Sequence, residues 1–340
     1  MGLFSIFTKE LAIDLGTANT VILHNNQVVV DEPSIIAIDT KTNQVKAVGK
    51  KALYMEGRCP KGIITQRPLK DGVIADFQYT ELMLREFIKM TGSKGYLFAP
   101  SLKMVICIPS GITEVEERAV RDSAEQAGAK DVRMIHEPMA AAIGIGLDVL
   151  EANGNMIIDI GGGTSEIAVI ALGGITTSTS VKVAGDKFNN DIIAYMRRNH
   201  NIEIGLATAE QIKINVGSAV ESLDNPPPDY EVTGRSLAKG VPTAVTVNYR
   251  EIAQALDLSI SSIEMAVSSA LEKTPPELSS DIYKTGIYMA GGGSLLRGLD
   301  KRLSAKTGLK VYVAEDPLLA VARGTAIALK NFDKFPFLMK

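Results

Sequence analysis

Two segments of the chain carry the same pattern: an apolar run, Asp-x-Gly, small and hydroxyl residues, and a second apolar run. The first copy occupies residues 11–23 and the second residues 156–170. Each copy predicts two strands joined by a tight turn. The two aspartates, Asp14 and Asp159, are separated by nearly half of the 340 residues. Because repetition at this spacing indicates duplicated architecture, the chain is predicted to fold into two related lobes.

The segments after each hairpin mix strands and helices, which is typical of α/β layers. Apolar periodicity and end signals, such as the capping box at Thr113 and Glu116, locate these elements. The predicted strands are residues 28–39 with a break at Glu32-Pro33, residues 103–108, residues 286–290, and a polar hairpin at 230–247. The predicted helices are residues 80–90, 113–128, 137–146, 188–199, 207–223, 249–273, 294–307 and 317–330. The fold class is therefore predicted to be α/β.

Charge and composition exclude several classes of protein. The 36 Lys and Arg residues against 39 Asp and Glu residues give a net charge of −3, which argues against a general binder of nucleic acid. Apolar residues make up 46% of the chain, which is enough for large folded cores. No apolar run approaches the roughly 20 residues of a membrane-spanning helix, and the N-terminus lacks the pattern of a secretory signal.

The cysteines and histidines give no sign of a disulfide framework or a zinc site. Cys59 and Cys107 are the only cysteines, which fits a reducing cytoplasm. Cys107 lies in a short apolar run and is interpreted as a plain buried thiol. The three histidines are far apart in sequence, and no Cys/His spacing resembles a zinc ligand set. The P-loop and Rossmann glycine motifs are also absent.

The two Asp-x-Gly hairpins predict a binding site if their turns face one another. A single copy is better explained as an ordinary β-turn. Two copies would offer successive backbone N–H groups from both sides to an anion, and glycine permits close approach. Asp14 and Asp159 would then repel each other unless a cation lay between them, and Mg²⁺ binds few carboxylates together with phosphates. The pattern thus predicts a nucleoside triphosphate with Mg²⁺.

A third glycine cluster, Gly291-Gly292-Gly293-Ser294, follows a predicted strand and is predicted to open a helix. One interpretation is a tight strand-to-helix turn. The other is a space for a flat base or an α-phosphate at the helix N-terminus.

Taken together, these motifs resemble the actin/Hsp70/sugar-kinase ATPase superfamily, and they are most similar to its bacterial actin-like rod-shape branch, the MreB family. The resemblance covers about residues 11–330. It is carried by the phosphate loops at 14–20 and 159–164, a connecting segment at 108–129, and residues 136–142, 209–213 and 291–298.

The resemblance implies an ATPase site. Asp14 and Asp159 would hold hydrated Mg²⁺, and Glu137 would orient or deprotonate the attacking water together with Thr164. From the residues alone, Glu137 is also explained as a carboxylate favoured at a helix N-terminus. The nucleotide contacts implied are Asp14, Gly16, Thr17, Ala18, Asn19, Asp159, Gly161, Gly162, Gly163, Thr164, Gly185, Asp186, Glu210, Gln211, Ile212, Lys213, Gly291, Gly292, Gly293 and Ser294.

The resemblance also implies an actin-like, duplicated two-lobe fold of four subdomains with the nucleotide in the interlobe cleft. Lobe I would comprise residues 1–148, with a small subdomain at about 32–75, and would be closed by a C-terminal helix at about 325–340. Lobe II would comprise residues 149–324, with a small subdomain at about 182–250.

Two apolar segments predict contact with a membrane surface. A helix over residues 1–11 would place Leu3, Phe4, Phe7 and Leu11 on one face, and a short amphipathic helix can lie in the interface. The second segment surrounds Leu97 and Phe98. A packed N-terminal arm and a buried loop explain these residues equally well, and the resemblance favours the membrane. The predicted membrane contacts are Leu3, Phe4, Phe7, Leu97 and Phe98.

For the chain as a whole, the resemblance implies slow ATP hydrolysis coupled to a filament that organises cell-wall elongation and rod shape. Its partners would be itself, in head-to-tail protofilaments that pair antiparallel, the inner face of the cytoplasmic membrane, and membrane proteins of the elongation machinery. No nucleic acid is expected, and the location would be the cytoplasm beside the membrane. The alternatives are an Hsp70-like ATPase, a sugar-kinase-like phosphotransferase, and a scaffold that binds nucleotide without turnover.

Overall fold

Both predicted hairpins are present in the computed structural model, which describes residues 8–92 and 101–339. The strands are β1 (Thr8–Leu15), β2 (Asn19–His24), β3 (Gln27–Pro33), β4 (Ile36–Asp39), β5 (Val45–Val48), β6 (Ile63–Gln66), β7 (Leu69–Lys70), β8 (Val73–Ile74), β9 (Ser101–Ile108), β10 (Ala129–His136), β11 (Asn155–Ile160), β12 (Ser165–Ala171), β13 (Gly174–Val181), β14 (Ile202–Glu203), β15 (Tyr230–Ser236), β16 (Pro242–Val247), β17 (Ile287–Ala290) and β18 (Val311–Val313). The helices are α1 (Lys50–Met55), α2 (Phe77–Met90), α3 (Glu114–Gln126), α4 (Glu137–Gly144), α5 (Gly185–Asn199), α6 (Leu206–Val216), α7 (Tyr249–Glu272), α8 (Pro276–Thr285), α9 (Leu299–Thr307) and α10 (Ala320–Lys330).

The two hairpins occupy equivalent places in two five-stranded sheets. The strand order is β3-β2-β1-β9-β10 in one sheet and β13-β12-β11-β17-β18 in the other. In each sheet the hairpin side is antiparallel and the far side is parallel. Asp14 pairs in register with Val21 on β2, as Asp159 pairs with Glu166 on β12. The sequence repeat is therefore a duplication of topology, which confirms the predicted two-lobe α/β fold.

Each lobe carries a further small sheet. The order β5-β4-β6 belongs to the first half of the chain and the order β14-β15-β16 to the second. The single broken strand predicted at 28–39 is two strands in different sheets, because the chain changes direction at Ser34. Ser34 is fully buried, and its hydroxyl donates to the Gly16 carbonyl oxygen at 2.6 Å. Its backbone N–H donates to the Ala18 carbonyl oxygen at 2.8 Å, so this bend braces the first Asp-x-Gly turn.

Helices α4 and α10 connect the two lobes. Helix α10 lies against β1, β2 and β9, whereas α4 also reaches β11 and β12 of the other sheet. The helices touch backbone to backbone: a Cβ on Gly144 would lie 1.8 Å from the Ala320 carbonyl oxygen, and one on Gly324 would lie 1.7 Å from that of Ala140. Glycine is therefore required at this crossing, where it allows the two helix backbones to pack in direct contact.

Two helix predictions were wrong at their ends. The helix predicted at 207–223 ends at Val216, because Gly217 leaves the helical conformation and a Cβ there would lie 2.2 Å from the Lys213 carbonyl oxygen. The helix predicted at 294–307 begins only at Leu299. Residues Gly292–Leu295 form a 3-10 turn instead, and Gly298 adopts a left-handed φ of 75° before α9. The third glycine cluster therefore does not open an α-helix directly.

The C-terminal helix also differs from its prediction of about 325–340. Helix α10 covers Ala320–Lys330, and turns follow it. Pro336 lacks an N–H and disfavours a helical residue before it, so the helix cannot continue through this segment. The chain instead returns to the first sheet, where Met339 forms an antiparallel bridge with Met134 of β10.

The N-terminal prediction was wrong where the structure describes it. Residues from Thr8 onward form β1 and pair with β9, and Leu11 is fully buried in the sheet instead of lying on an amphipathic helix. The predicted membrane residues Leu3, Phe4, Phe7, Leu97 and Phe98 lie outside the described residues. Within residues 8–92 and 101–339, no helix is long and apolar enough to cross a membrane.

Candidate nucleotide-binding site

Three carboxyl groups from three elements converge where the lobes meet. Asp14 and Asp159 are each the penultimate residue of a strand, β1 and β11, and Glu137 is the first residue of α4. Glu137 sits there because β10 ends at His136 and Pro138 is favourable in the first turn of a helix. Desolvation is the main cause that raises the pKa of all three groups.

These groups also repel one another. The pKa of Asp159 is raised to about 7, first by desolvation and then by the charges of Asp14 and Glu166. The pKa of Asp14 is raised to about 6 by desolvation, against a hydrogen bond from Cys107. The pKa of Glu137 is raised well above its ordinary value, first by desolvation and then by the charges of Asp159, Glu166 and Asp14. The floor of the site thus concentrates negative charge that a bound cation would neutralise.

The two Asp-x-Gly turns touch each other directly above this floor. A Cβ on Gly162 would lie 2.5 Å from the Cβ of Ala18, and one on Gly163 would lie 2.7 Å from the Thr17 hydroxyl oxygen. Side chains at these glycines would force the turns apart. The structure therefore brings together the two predicted phosphate loops, including Gly161 and Thr164 of the second and Gly16 and Asn19 of the first.

The turn between β7 and β8 reaches the same place, although no sequence motif predicted it as part of the site. The backbone N–H of Gly72 donates to the Thr17 hydroxyl at 3.0 Å. A Cβ on Gly72 would lie 3.2 Å from the Thr164 hydroxyl oxygen, and one on Gly163 would lie 3.0 Å from the Cα of Asp71. In the sequence this segment is marked only by the turn residues Lys70-Asp71-Gly72. The fold shows that the turn contacts both phosphate loops.

The start of α5 lies against the second phosphate loop. The backbone N–H of Asp186 donates to the Gly162 carbonyl oxygen at 2.8 Å, and that of Gly185 donates to Gly161 at 3.2 Å. Desolvation raises the pKa of Asp186, while Arg67 and Lys213 oppose that shift. The structure therefore places Gly185 and Asp186 beside the second phosphate loop, and their contact with a nucleotide stays a prediction.

Helix α6 contributes a polar cluster beside α5. The Lys213 ammonium donates to the Glu210 carboxylate at 2.8 Å and to the Gly185 carbonyl oxygen at 3.2 Å. Asn189, which was not among the predicted site residues, donates to the same Glu210 carboxylate at 2.7 Å. Of the other two predicted residues here, Gln211 is exposed, whereas the Ile212 side chain is fully buried in the core of lobe II and does not line the site.

The third glycine cluster packs under the second aspartate. Gly291 has a φ of 77°, and a Cβ there would lie 2.4 Å from Oδ1 of Asp159. A Cβ on Gly293 would lie 2.2 Å from the Ile160 side chain, and Ser294 donates to the Gly291 carbonyl oxygen at 2.6 Å. Gly292 faces Leu318. These residues therefore combine a tight turn with proximity to the carboxylate cluster.

Cys107 belongs to the site and is more than the plain buried thiol predicted for it. It is 2% exposed, and its sulfur donates to Oδ1 of Asp14 at 3.1 Å. Burial raises the pKa of the thiol well above its ordinary value, and the charges of Asp14 and Glu137 raise it further. The thiol therefore stays protonated and remains a hydrogen-bond donor.

The carboxylates fit a hydrated Mg²⁺. Oδ1 of Asp159 is buried and has no hydrogen-bond partner, so a ligand could satisfy it. Within the described part of the chain, no group of three or more His, Cys, Asp or Glu side chains could hold a metal by itself. Mg²⁺ usually keeps several waters and binds one or two carboxylates plus phosphates, so the pair Asp14 and Asp159 suffices.

The duplicated lobes, with glycine loops meeting over a carboxylate floor, define the actin-like fold class. Comparison with known proteins places the chain more closely: a family model described as MreB/Mbl protein matches residues 8–336. The chain belongs to the MreB/Mbl family.

Similar proteins agree with this assignment. The chain is 50% identical to the cell shape-determining protein MreB of Escherichia coli strain K12, covering 96% of this chain and 95% of that protein. It is 45% identical to the cell shape-determining protein Mbl of Bacillus subtilis strain 168, covering 97% and 98%. A crystal structure of MreB5 of Spiroplasma citri bound to AMPPNP superposes with a TM-score of 0.90 at 37% identity, covering 96% and 97%.

Proposed function

We propose that this chain is an ATP-dependent, actin-like filament former that determines cell shape. The observation that carries the proposal is the contact between the two phosphate loops above Asp14, Glu137 and Asp159. Family membership supports the same conclusion, since relatives at 45–50% identity are cell shape-determining proteins. MreB5 of Spiroplasma citri has been crystallised with AMPPNP and with ADP, which supports ATP as the nucleotide.

The residues divide the work of ATP hydrolysis between the lobes. Backbone N–H groups and hydroxyls of Thr17 and Thr164 would bind the phosphates from opposite sides. Glu137, on the helix that joins the lobes, would orient the attacking water or accept its proton, and Thr164 would share that task. Asp14 and Asp159 would hold hydrated Mg²⁺, which supplies neutralisation of phosphate charge.

The cluster on α5 and α6 would bind the nucleoside. Glu210 is already oriented by Asn189 and Lys213, so its carboxylate is fixed before any ligand arrives. A fixed carboxylate beside the phosphate loops suits a ribose hydroxyl. Since the phosphates would lie between the lobes, lobe closure and nucleotide state would be coupled, and filament contacts would respond to both.

A combined assembly and turnover assay tests the proposed function. The purified chain is incubated with Mg²⁺-ATP or Mg²⁺-ADP, and pelleted protein, released phosphate and filaments in electron micrographs are recorded. We expect ATP-dependent filaments and slow phosphate release. Monomers that release phosphate would favour a phosphotransferase, and filaments without any phosphate release would favour a scaffold.

Membrane binding and partners form a second part of the proposal. We expect the filament to lie on the inner face of the cytoplasmic membrane and to contact membrane proteins of the cell-wall elongation machinery. Deleting residues 2–7 and replacing Leu97 and Phe98 by serine should abolish co-sedimentation with liposomes. Co-sedimentation that survives both changes would reject these segments as the membrane contacts.

The lobe boundaries are also proposed. The division at residues 148 and 149 follows α4, and the small subdomains at about 32–75 and 182–250 would contain the sheets β5-β4-β6 and β14-β15-β16. Limited proteolysis should cut in the connections between these units and spare the two five-stranded sheets. Cleavage inside a five-stranded sheet before any connection is cut would contradict the division.

A further inference from the structure

A fourth carboxylate, Glu166, lies beside the floor of the site without a role in the function proposed above. It is fully buried on β12, in register with Asp159 on β11. The equivalent position in lobe I is Val21, which pairs with Asp14 and is an ordinary core residue. The fold thus does not require a carboxylate at this sheet position, since lobe I has a valine there. Burying the charge of Glu166 costs free energy, which indicates a role other than packing.

The partners of Glu166 come from both lobes. In lobe I, Ser110 follows β9, and both its backbone N–H, at 3.3 Å, and its hydroxyl donate to Oε2 of Glu166. In lobe II, the Ser180 hydroxyl on β13 donates to Oε1. Three donors satisfy one buried carboxylate, and two of them cross the cleft. Charge-assisted hydrogen bonds of this kind are stronger than neutral ones.

The link joins the two elements that carry the proposed catalytic groups. On the lobe I side, Ser110 is two residues after Ile108, which pairs in register with His136, the residue before Glu137. On the lobe II side, Glu166 is two residues after Thr164, at the end of the second phosphate loop. The Ser110–Glu166 hydrogen bonds therefore provide a short structural connection across the cleft between the segments that carry Glu137 and Thr164.

We propose that Glu166 is a positioning residue for ATP hydrolysis: through Ser110 it fixes the spacing across the cleft between Glu137 and Thr164. The inference rests on the proposed ATPase function and adds a residue that acts on turnover more than on nucleotide binding. Glu166 is also close enough to affect Glu137 electrostatically: desolvation is the main cause that raises the pKa of Glu137, and the charges of Asp159, Glu166 and Asp14 raise it further.

The test compares two serines that donate to the same carboxylate. Ser110→Ala removes the hydroxyl that crosses the cleft, whereas Ser180→Ala removes the one that stays within lobe II. Glu166→Gln removes the charge and keeps the shape, and Ser110→Thr restores a hydroxyl. Phosphate release is measured over a range of ATP concentrations for each variant and for the wild type, and thermal melts confirm that each variant is folded.

We expect Glu166→Gln to lower kcat about 10-fold or more with KM changed less than about 3-fold, because misplacement of reacting groups by an ångström can cost up to 100-fold. Ser110→Ala should lower kcat several-fold, Ser110→Thr should restore most of it, and Ser180→Ala should have the smallest effect. The double variant Glu166→Gln/Ser110→Ala should be no slower than Glu166→Gln, since both changes remove one link.

Three results would overturn the inference. One is a wild-type kcat in folded Ser110→Ala and Glu166→Gln. Another is an equal loss in Ser110→Ala and Ser180→Ala, which would mean that the carboxylate only needs donors. The third is additive losses in the double variant. A wild-type chain that releases no phosphate would reject the proposed function and the inference together, so the two failures are distinguishable.

Discussion

The two aspartates of the site occupy the same position in two equivalent sheets, but their neighbours differ. On the parallel side, Asp14 pairs in register with Cys107 and Asp159 with Ala290. Cys107 donates a hydrogen bond to Asp14, whereas alanine has no donor, and Oδ1 of Asp159 has no partner. The pKa is accordingly raised less for Asp14, to about 6, than for Asp159, to about 7.

The antiparallel side adds to the difference. The partner of Asp14 there is the apolar Val21, and that of Asp159 is the buried carboxylate Glu166. The carboxyl groups therefore occupy equivalent positions, and the different residues beside them make their electrostatics unequal. We expect Asp159 to depend more strongly on a cation than Asp14, because its charge is less well satisfied by the protein.

The largest effect on phosphate release is expected at Glu137, whose pKa is raised by desolvation and by the charges of carboxylates that include both aspartates. Glu137→Ala removes the proposed base, and general base catalysis typically contributes 10²–10⁴-fold. We expect kcat for phosphate release to fall about 100-fold or more, while ATP-dependent pelleting persists. Glu137→Gln, which keeps the shape, serves as the matched variant. An unchanged hydrolysis rate would remove Glu137 from this role.

The next effect compares the aspartates directly. Asp159→Asn should weaken Mg²⁺-ATP binding by about 10-fold or more. Asp14→Asn should weaken it less, because Cys107 already satisfies Asp14 in part, and a hydrogen bond to a charged group contributes about 1.5–3 kcal/mol. Isothermal titration calorimetry with and without Mg²⁺ measures both. Equal losses in the two variants would show that the unequal neighbours do not affect cation binding.

A smaller effect concerns stability against pH without nucleotide or divalent cation. The usual pKa of Asp159 is 3.8, and the folded value is about 7. Between these values the folded chain holds a proton that the unfolded chain has released, so stability should rise as pH falls from 7 towards 4. We expect about 1 kcal/mol per pH unit from this residue, lost in Asp159→Asn. Parallel denaturation curves for wild type and variant against pH would contradict the shift.

The smallest effect is expected from making lobe I resemble lobe II. Cys107→Ala removes the donor to Asp14, so the pKa of Asp14 should rise towards that of Asp159. We expect a loss of about 1 kcal/mol in unfolding free energy and at most a few-fold change in Mg²⁺-ATP affinity. Cys107→Ser, which retains a hydroxyl donor, is the control. Cys107→Ala with the stability and affinity of wild type would show that the thiol contact has no energetic role.

Local patterns were enough to predict many elements. The capping box at Thr113 is formed as predicted, since it depends on residues three positions apart. The helix ends near Gly217 and Leu299 were wrong, because α6 stops where Gly217 leaves the helical conformation and α9 begins only after the left-handed Gly298. Ile212 illustrates a limit of carrying a motif over by resemblance, since its position in α6 matches the motif while its side chain faces the core.

The sequence by itself determined that two similar hairpins exist and that the first strand of each leads into an Asp-x-Gly turn. Those properties depend on residues adjacent in the chain. That these turns bind phosphate stays a prediction. Only the tertiary structure decided that the turns touch, that Gly72 contacts both of them, and that Cys107 and Glu166 bond to groups far away in sequence. Buried donors and acceptors must find partners wherever the packed lobes place them, and residue order alone does not specify those places.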